Sequence, residues 1–170
     1  MKIDLNADLG ESFGPYTMGN DAAMLDIVSS ANVACGFHGG DPTVMADTVT
    51  TCIDRGVAIG AHSGFRDIEG FGRRRIMGSS DGQMAAMLAY QIGALQGIAV
   101  SQGAALTHVK LHGALGNMAS EDLALAIVCL GAVQALDASL AVMAMASTAL
   151  EAAADQLGLR AAREIYADRA

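Results

Sequence analysis

Six side chains able to do acid–base, electrostatic or metal chemistry lie where apolar segments of this sequence give way to loops. They are Asp8, Glu11, His38, His62, Lys110 and His112. Carboxylate and imidazole groups are the usual general bases of hydrolytic enzymes, and a buried ammonium stabilises developing negative charge. The same carboxylates and imidazoles are ligands for divalent metal ions. The sequence therefore predicts a hydrolytic or metal site, provided that the fold brings these groups together.

Other candidate residues near these segments have less specific signals. His108 lies only three residues into its predicted strand, where a core role and a site role remain open. Cys35 ends an apolar segment, and a free cysteine in such a position is usually part of the core rather than a nucleophile. Neither a G-x-x-x-x-G-K-[ST] loop nor a G-x-G-x-x-G turn after a strand occurs. Any ATP used by this protein is therefore expected to bind to other chains.

Strands and helices alternate along the whole predicted chain. Alternating and apolar segments predict strands over residues 2–9, 31–35, 57–62, 105–112, 140–146 and 159–168. Helices are predicted over 22–29, 42–56, 83–100, 120–136 and 147–158, with N-caps at Asn20-Asp21, Asp41, Ser80 and Ser147. Residues 63–79 are predicted to form a long loop, which in a compact domain is often functional.

This alternation predicts parallel strands joined by right-handed crossovers, and hence an α/β barrel or a doubly wound sheet. We favour the barrel, in which the active site lies at the carboxyl ends of the strands. Six strands are counted, whereas a closed α/β barrel takes about eight. The expected fold is therefore a single α/β barrel-like domain over residues 1–170 that lacks the last strands, either because the chain is truncated or because a neighbour provides them.

Composition excludes several classes of protein. The net charge of −8 argues against nucleic-acid binding, and the 52% apolar content predicts a sizeable core. No leader-like start and no span of membrane character is recognised, so no membrane partner is expected. Three cysteines without C-x-x-C spacing argue against a disulfide framework and favour a reducing cytoplasm.

Eight segments resemble the family of the 5-oxoprolinase A subunit, also called LamB/YcsF. They include DLNADLGESFG (4–14), ANVACGFHGGDP (31–42) and HVKLHGAL (108–115), with further similarity at 18–21, 56–62, 70–74, 90–95 and 167–169. The sequence departs from the family pattern in five places: Ala7 replaces a common cysteine, Ser63, Arg66 and Leu111 replace usual prolines, and Gly116 replaces a usual tyrosine.

The resemblance implies a glycoside hydrolase/deacetylase-like barrel that opens 5-oxoproline to L-glutamate, with ATP hydrolysis, together with the partner B and C subunits of 5-oxoprolinase. We expect the partners to bind ATP and to phosphorylate the lactam oxygen, and this chain to hydrolyse the activated ring. The expected catalytic residues are Asp8, His38, His62, Lys110 and His112. Substrate contacts are expected from Asn6, Glu11, Asp41, Arg73 and Asn117.

Within this hypothesis Asp8 or a histidine is the general base, Lys110 and His112 stabilise negative charge, and His38 and His62 orient the base or the water. Two alternatives remain. The chain is a non-catalytic assembly subunit or a truncated remnant, or it is a metal-assisted deacetylase-like hydrolase with ligands among Asp8 and the histidines. The sequence leaves open whether a divalent metal is bound and whether the chain forms a homo-oligomer.

Overall fold

The computed structural model describes residues 3–166, so the predicted strand positions Lys2, Asp168 and Arg169 lie outside the described residues. Six strands and six helices follow one another along the chain. The strands are β1 (Asn6–Leu9), β2 (Ser30–Ala34), β3 (Ala58–Ser63), β4 (His108–Leu111), β5 (Ala141–Met145) and β6 (Ala161–Glu164). The helices are α1 (Asp21–Leu25), α2 (Pro42–Arg55), α3 (Asp81–Ser101), α4 (Gly113–Glu121), α5 (Leu123–Leu136) and α6 (Ala149–Gln156).

The six strands form one parallel sheet whose spatial order is the order of the chain, from β1 to β6. A doubly wound sheet reverses its strand order at a switch point, whereas a barrel wall does not. The predicted α/β barrel type is therefore confirmed, in the form of a curled half-barrel.

The two faces of the sheet have opposite character. Leu9, Val33, Ala61, Val109 and Val142 lie side by side in register, are buried, and form a continuous apolar row. Because side chains alternate along a strand, the neighbouring positions face the inside of the curl, where most of the polar strand residues lie. One face thus packs on the helices and the other forms the site.

The helix caps follow the predicted chemistry at three of four positions. Asn20 caps α1 by accepting from the backbone N–H of Ala23. Asp41 caps α2 by accepting from the backbone N–H groups of Thr43 and Val44. Ser80 caps α3 in a capping box with Gln83. The fourth cap was predicted one residue too early: Thr148 caps α6, whereas Ser147 has a positive φ of 63°.

Helix α3 is long and apolar enough to cross a membrane by length and composition, the one such helix among residues 3–166. In the fold it contacts α5 and β3. Its buried side chains recur at the helical period: Met84, Leu88, Gln91, Ile92, Leu95 and Ala99. This pattern is that of a helix packed on a core.

Several boundaries differ from the prediction. Helix α1 ends at Leu25 rather than at residue 29, and β4 begins at His108 rather than at residue 105. β1 begins at Asn6 rather than residue 2, and Ile3 is 80% exposed, because no residue among 3–166 covers the first alternating positions. The segment before α5 forms the separate helix α4, and Asp122 ends it and caps α5 through Ala124 and Leu125. Glycines in GALGNMASE weaken the helix signal there. β6 ends at Glu164, four residues earlier than predicted.

Candidate active site

Lys110 on β4 is the centre of an ion-pair network at the carboxyl ends of the strands. Its Nζ lies 2.8 Å from Glu164 Oε1, 3.2 Å from Asp8 Oδ1 and 3.4 Å from Asn6 Oδ1. The Lys110 side chain is only 8% exposed. Its ammonium also lies 5.5 Å from the ring centroid of Tyr166, within cation–π range. Residues from β1, β4 and the end of β6 therefore share one buried cation.

Three histidines stand beside this network in close contact with one another. The rings of His38 and His112 stack with centroids 3.6 Å apart and an interplanar angle of 5°. The His62 ring is perpendicular to both, and its Nε2 lies 2.9 Å from His112 Nδ1 and 3.4 Å from Asp8 Oδ2. All three are buried. Glu11 lies against the group, with Oε1 3.3 Å from His38 Nε2 and 3.7 Å from His112 Nδ1.

Backbone carbonyls fix the orientation of two of these rings. His62 Nδ1 donates to the carbonyl oxygen of Lys110 at 3.2 Å, and His112 Nε2 donates to the carbonyl oxygen of Phe71 at 2.8 Å. Carbonyl oxygens only accept, so these nitrogens carry the hydrogen in the neutral rings. The second nitrogen of each ring is therefore an acceptor that faces the other histidine.

The pKa values of the two carboxylates, Asp8 on β1 and Glu11 in the loop that follows it, are shifted in opposite directions. Partial burial would raise the pKa of Asp8, but the charges and hydrogen bonds of His62, Lys110 and Asn32 outweigh it and hold that pKa far below its ordinary value. Burial raises the pKa of Glu11, with His62 opposing and Asp8 adding to the effect. Asp8 is thus a permanent carboxylate, whereas Glu11 is the more basic of the two.

Burial is the main cause of the lowered pKa values of His38 and His112, whereas at Lys110 the neighbouring carboxylates outweigh the effect of burial. Burial, and less strongly the neighbouring histidines, lower the pKa of His38 and of His112 to about 3. The pKa of Lys110 would also fall on burial, but Asp8 and Glu164 raise it above the ordinary value. The site therefore combines the neutral imidazoles of His38 and His112 with one fixed ammonium.

Beneath these groups lies a polar layer that supports Asp8. Asn32 donates from Nδ2 to Asp8 Oδ1 at 2.9 Å and to Asn6 Oδ1 at 2.7 Å, and its own Oδ1 lies 2.9 Å from His108 Nε2. The His108 ring occupies the space beside Gly60, where an added Cβ would meet Nε2 at 2.0 Å. His108 thus takes the structural role left open by the sequence, and Gly60 provides room for it.

The loop 63–79 holds the histidines from above. Asp67 accepts hydrogen bonds from the backbone of Gly70 and from the Arg74 guanidinium, and its own N–H donates to the carbonyl of Phe37, next to His38. Within this turn Phe71 and Gly72 have positive φ, which aims the Phe71 carbonyl at His112. The loop 63–79 therefore packs over the histidine cluster and orients His112.

A cleft of about 280 Å³ opens on this arrangement. Six of the residues predicted to act in catalysis or substrate binding line it: Asp8, His62, Arg73, Lys110, His112 and Asn117. Glu11 and His38 lie behind its wall, and Asn6 lies below Lys110. Asp41 lies elsewhere, because its carboxylate caps α2 and accepts from the backbone of Gly14.

Sequence reasoning missed four contributors to the site. Glu164 and Tyr166 were assigned to the interior of the last strand, because its end was placed too late. Asn32 was hidden in an apolar segment, although its position on β2 repeats the period-two spacing of the polar face. Gln91 is fully buried on α3 and holds both the N–H and the carbonyl of Gly64; no sequence signal distinguishes it from a surface glutamine.

A parallel α/β barrel wall with a carboxylate, imidazole and ammonium site at the carboxyl ends of its strands defines the class of this protein. A sequence profile of the LamB/YcsF family matches residues 3–170. The chain belongs to the LamB/YcsF family.

Individual relatives agree with this assignment. The chain is 56% identical over 168 residues to a protein of Gluconobacter oxydans named as the A subunit of 5-oxoprolinase, covering 99% of this chain and 66% of the relative. A protein of Bordetella pertussis with the same name is 53% identical over 167 residues, covering 98% and 66%. The crystal structure of a lactam utilization protein from Thermus thermophilus superposes with a TM-score of 0.97 at 45% identity, covering 100% of this chain and 68% of that one. The chain thus spans about two thirds of the length of these relatives.

Proposed function

We propose that this chain is the lactam-hydrolysing component of an ATP-dependent 5-oxoprolinase that converts 5-oxoproline to L-glutamate. The names of the relatives support this reaction class. The observation that carries the proposal is the placement of Asp8 and Lys110, 3.2 Å apart, on the wall of a small-molecule cleft beside the three histidines. A carboxylate and an ammonium so placed can activate water and stabilise the charge that forms at a carbonyl.

The unactivated lactam is a stable amide, and coupling to ATP provides the driving force for opening it. The sequence contains no phosphate-binding loop, which supports ATP binding and lactam phosphorylation on the partner B and C subunits. Water then adds to the activated carbon and the ring C–N bond breaks, with the nitrogen taking up a proton. A second water releases phosphate from the resulting γ-glutamyl phosphate and leaves glutamate.

Each of these hydrolytic steps depends on residues of this chain. Asp8 orients and polarises the water, since its carboxylate stays ionised and borders the cleft, and the water's proton passes to the ring nitrogen as the C–N bond breaks. Lys110 stabilises the negative charge on the substrate, and Arg73, whose guanidinium lies 5.4 Å from the Phe71 ring centroid, binds the phosphate or carboxylate. His112 donates its hydrogen to the Phe71 carbonyl, so we assign to it and to His62 the positioning of Asp8 and water.

The three buried cysteines, Cys35, Cys52 and Cys129, are free. Burial raises the pKa of the Cys35 thiol to about 12, so it is not a nucleophile near neutral pH. Free thiols support a reducing compartment, and we place the assembled enzyme in the cytoplasm.

The test is ATP-dependent release of glutamate from 5-oxoproline by purified partner subunits, with and without this chain. We expect glutamate to form only when the chain is present. Equal release without the chain would overturn the proposal. If the Asp8→Asn variant and the Lys110→Met variant each release glutamate at the full rate, the chain instead has a role in assembly alone.

A further inference from the structure

Two nitrogen lone pairs face each other at the centre of the histidine cluster. His62 Nε2 and His112 Nδ1 lie 2.9 Å apart, and the other nitrogen of each ring donates to a backbone carbonyl. In the neutral rings both facing nitrogens are acceptors, and two acceptors at this distance repel each other. A cation between or beside these atoms would relieve the repulsion and keep both hydrogen bonds to the backbone carbonyls.

The neighbouring His38 and Glu11 add buried polar atoms that make no hydrogen bond to a described residue, although Glu11 Oε1 lies 3.3 Å from His38 Nε2. Neither ring nitrogen of His38 makes a hydrogen bond within residues 3–166, although its side chain is 0% exposed. Glu11 Oε1 is likewise buried without a hydrogen bond to any described residue. Buried polar atoms are almost always satisfied, and exceptions commonly mark a bound ion or water.

We propose that Glu11, His38, His62 and His112 bind one divalent transition-metal ion of the Zn²⁺ type. One ligand atom from each of the four residues lies within 4.8 Å of the other three. Ligand atoms held ~2.0–2.1 Å from such an ion lie about 2.8–3.4 Å apart for angles between octahedral and tetrahedral values. The separations of 2.9 Å for His62–His112 and 3.3 Å for His38–Glu11 fall in this range, and the 3.7 Å between Glu11 and His112 lies just outside it. The His38 and His112 rings are stacked in parallel, so one of them must tilt for both to direct a lone pair at the same ion. Three imidazoles and one carboxylate suit zinc and its neighbours better than Mg²⁺ or Ca²⁺.

The hydrogen bonds around the cluster have the form that metal sites use to orient their ligands. A ligating histidine usually donates its other N–H to a carbonyl or carboxylate. His62 does so to Lys110 O, and His112 to Phe71 O. These bonds leave His62 Nε2 and His112 Nδ1, the two inward nitrogens, as the ligating atoms.

A shared proton is the other cation that could occupy the space between His62 and His112. It would relieve the contact between those two nitrogens but would leave His38 and Glu11 Oε1 unsatisfied among the described residues. A metal ion satisfies all four side chains at once. Bound there, beside Asp8 and the cleft, it would lower the pKa of a water molecule or polarise a carbonyl. Metal binding itself does not depend on which substrate the cleft accepts.

The experiment is a titration of the purified, metal-stripped chain with Co²⁺, followed by visible absorption and calorimetry, and repeated with Zn²⁺ in competition. We expect one Co²⁺ per chain with the spectrum of imidazole coordination, displaced by Zn²⁺. The variants Glu11→Gln, His38→Gln and His112→Gln should each weaken binding by at least ~10-fold. The matched control is His108→Gln, which changes another buried histidine of the same face and should retain stoichiometric binding.

Absence of stoichiometric binding by the wild-type chain would overturn the proposal, as would unchanged affinity in all three variants. X-ray absorption spectra of the Zn²⁺-loaded wild-type chain test the same point without any substitution. Three imidazole ligands support the site, and a shell of oxygen atoms alone contradicts it.

Discussion

Lys110 on β4 and Glu164 at the end of β6 form an ion pair of 2.8 Å that reaches across the intervening strand β5. With Asp8 on β1, 3.2 Å from the same ammonium, the pair links both edges of the six-stranded sheet through a single side chain. A curled wall makes this possible, because a flat sheet would hold β1 and β6 far apart. The ion-pair network is thus a consequence of the curl.

Replacing Lys110 by Met should affect both stability and catalysis. Two carboxylates lose their counter-charge, and we expect a loss of about 2–3 kcal/mol in unfolding free energy. This is less than the ~3–5 kcal/mol of a fully buried pair, because the Asp8 side chain is 38% exposed. Glutamate release in the assembled enzyme should fall by ~10²-fold or more.

The double variant Lys110→Met with Glu164→Gln separates the two effects. Removing one uncompensated carboxylate should restore part of the stability, as measured by urea denaturation, while the activity stays low. Recovery of activity together with stability would show that Lys110 only holds the fold.

Replacing Gly72 by Ala should displace the histidine cluster. An added Cβ would meet the Cβ of His38 at 2.7 Å and Cδ2 of His112 at 2.8 Å, at a φ of 63°. Left-handed strain and overpacking together should cost about 2–4 kcal/mol. Gly78→Ala is the matched control, since Gly78 also has a positive φ but an added Cβ meets no atom within 4 Å. Equal melting temperatures of the two variants would contradict this description of the loop.

Replacing Gln91 by Met should lower stability without touching the cleft. Both the N–H and the carbonyl of buried Gly64 lose their side-chain partner. We expect a cost of about 2–4 kcal/mol, or roughly 5–15 °C in Tm for a chain of this size. Gln96→Met, at a half-buried position of the same helix, should shift Tm by far less. A small shift for Gln91→Met would mean that Gly64 finds other partners.

The Asp67–Arg74 pair should make the loop sensitive to acid. The hydrogen bond from Arg74, more than any other contact, holds the pKa of Asp67 below its ordinary value. A depressed carboxyl pKa stabilises the fold above the unfolded-state pKa, about 3.9, and this stabilisation is lost as the pH falls through the folded-state pKa. The stability difference between wild type and Asp67→Asn should therefore be constant from about pH 6 to 8 and shrink below about pH 4. Arg74→Gln should reduce that pH dependence, because only the backbone hydrogen bonds of Gly70 and residue 74 to Asp67 remain. A difference that grows on acidification would contradict the assignment.

The fold was largely predictable because its signals are local. Apolar segments of four to six residues, an aspartate before a proline and a serine three residues before a glutamine mark strands and helix starts by short-range chemistry. The errors fall where tertiary contacts decide. Helix α4 has a weak glycine-rich sequence and forms where it packs against α5 and α6, and β1 starts only where β2 begins to pair with it.

The candidate site was predictable as a set of residue types but not as a network. The rule that parallel strands converge at their carboxyl ends correctly brought Asp8, His62, Lys110 and His112 together. The rule could not exclude Asp41 from the site, because an aspartate that caps a helix and an aspartate that lines a cleft occur at the same position after a strand. Nor could it find Glu164 or the Phe71 carbonyl, because strand curvature and a left-handed loop residue place them.

The most direct test of the account is the effect of Asp8→Asn on ATP-dependent glutamate release from 5-oxoproline in the enzyme assembled with its partner subunits. If groups from separate strand ends form one hydrolytic site, release should fall by ~10²–10⁴-fold while assembly with the partners is unchanged. The surface variant Asp26→Asn, which removes an exposed pair with Arg55, should release glutamate at the wild-type rate. Wild-type release by the Asp8→Asn enzyme would contradict the central claim.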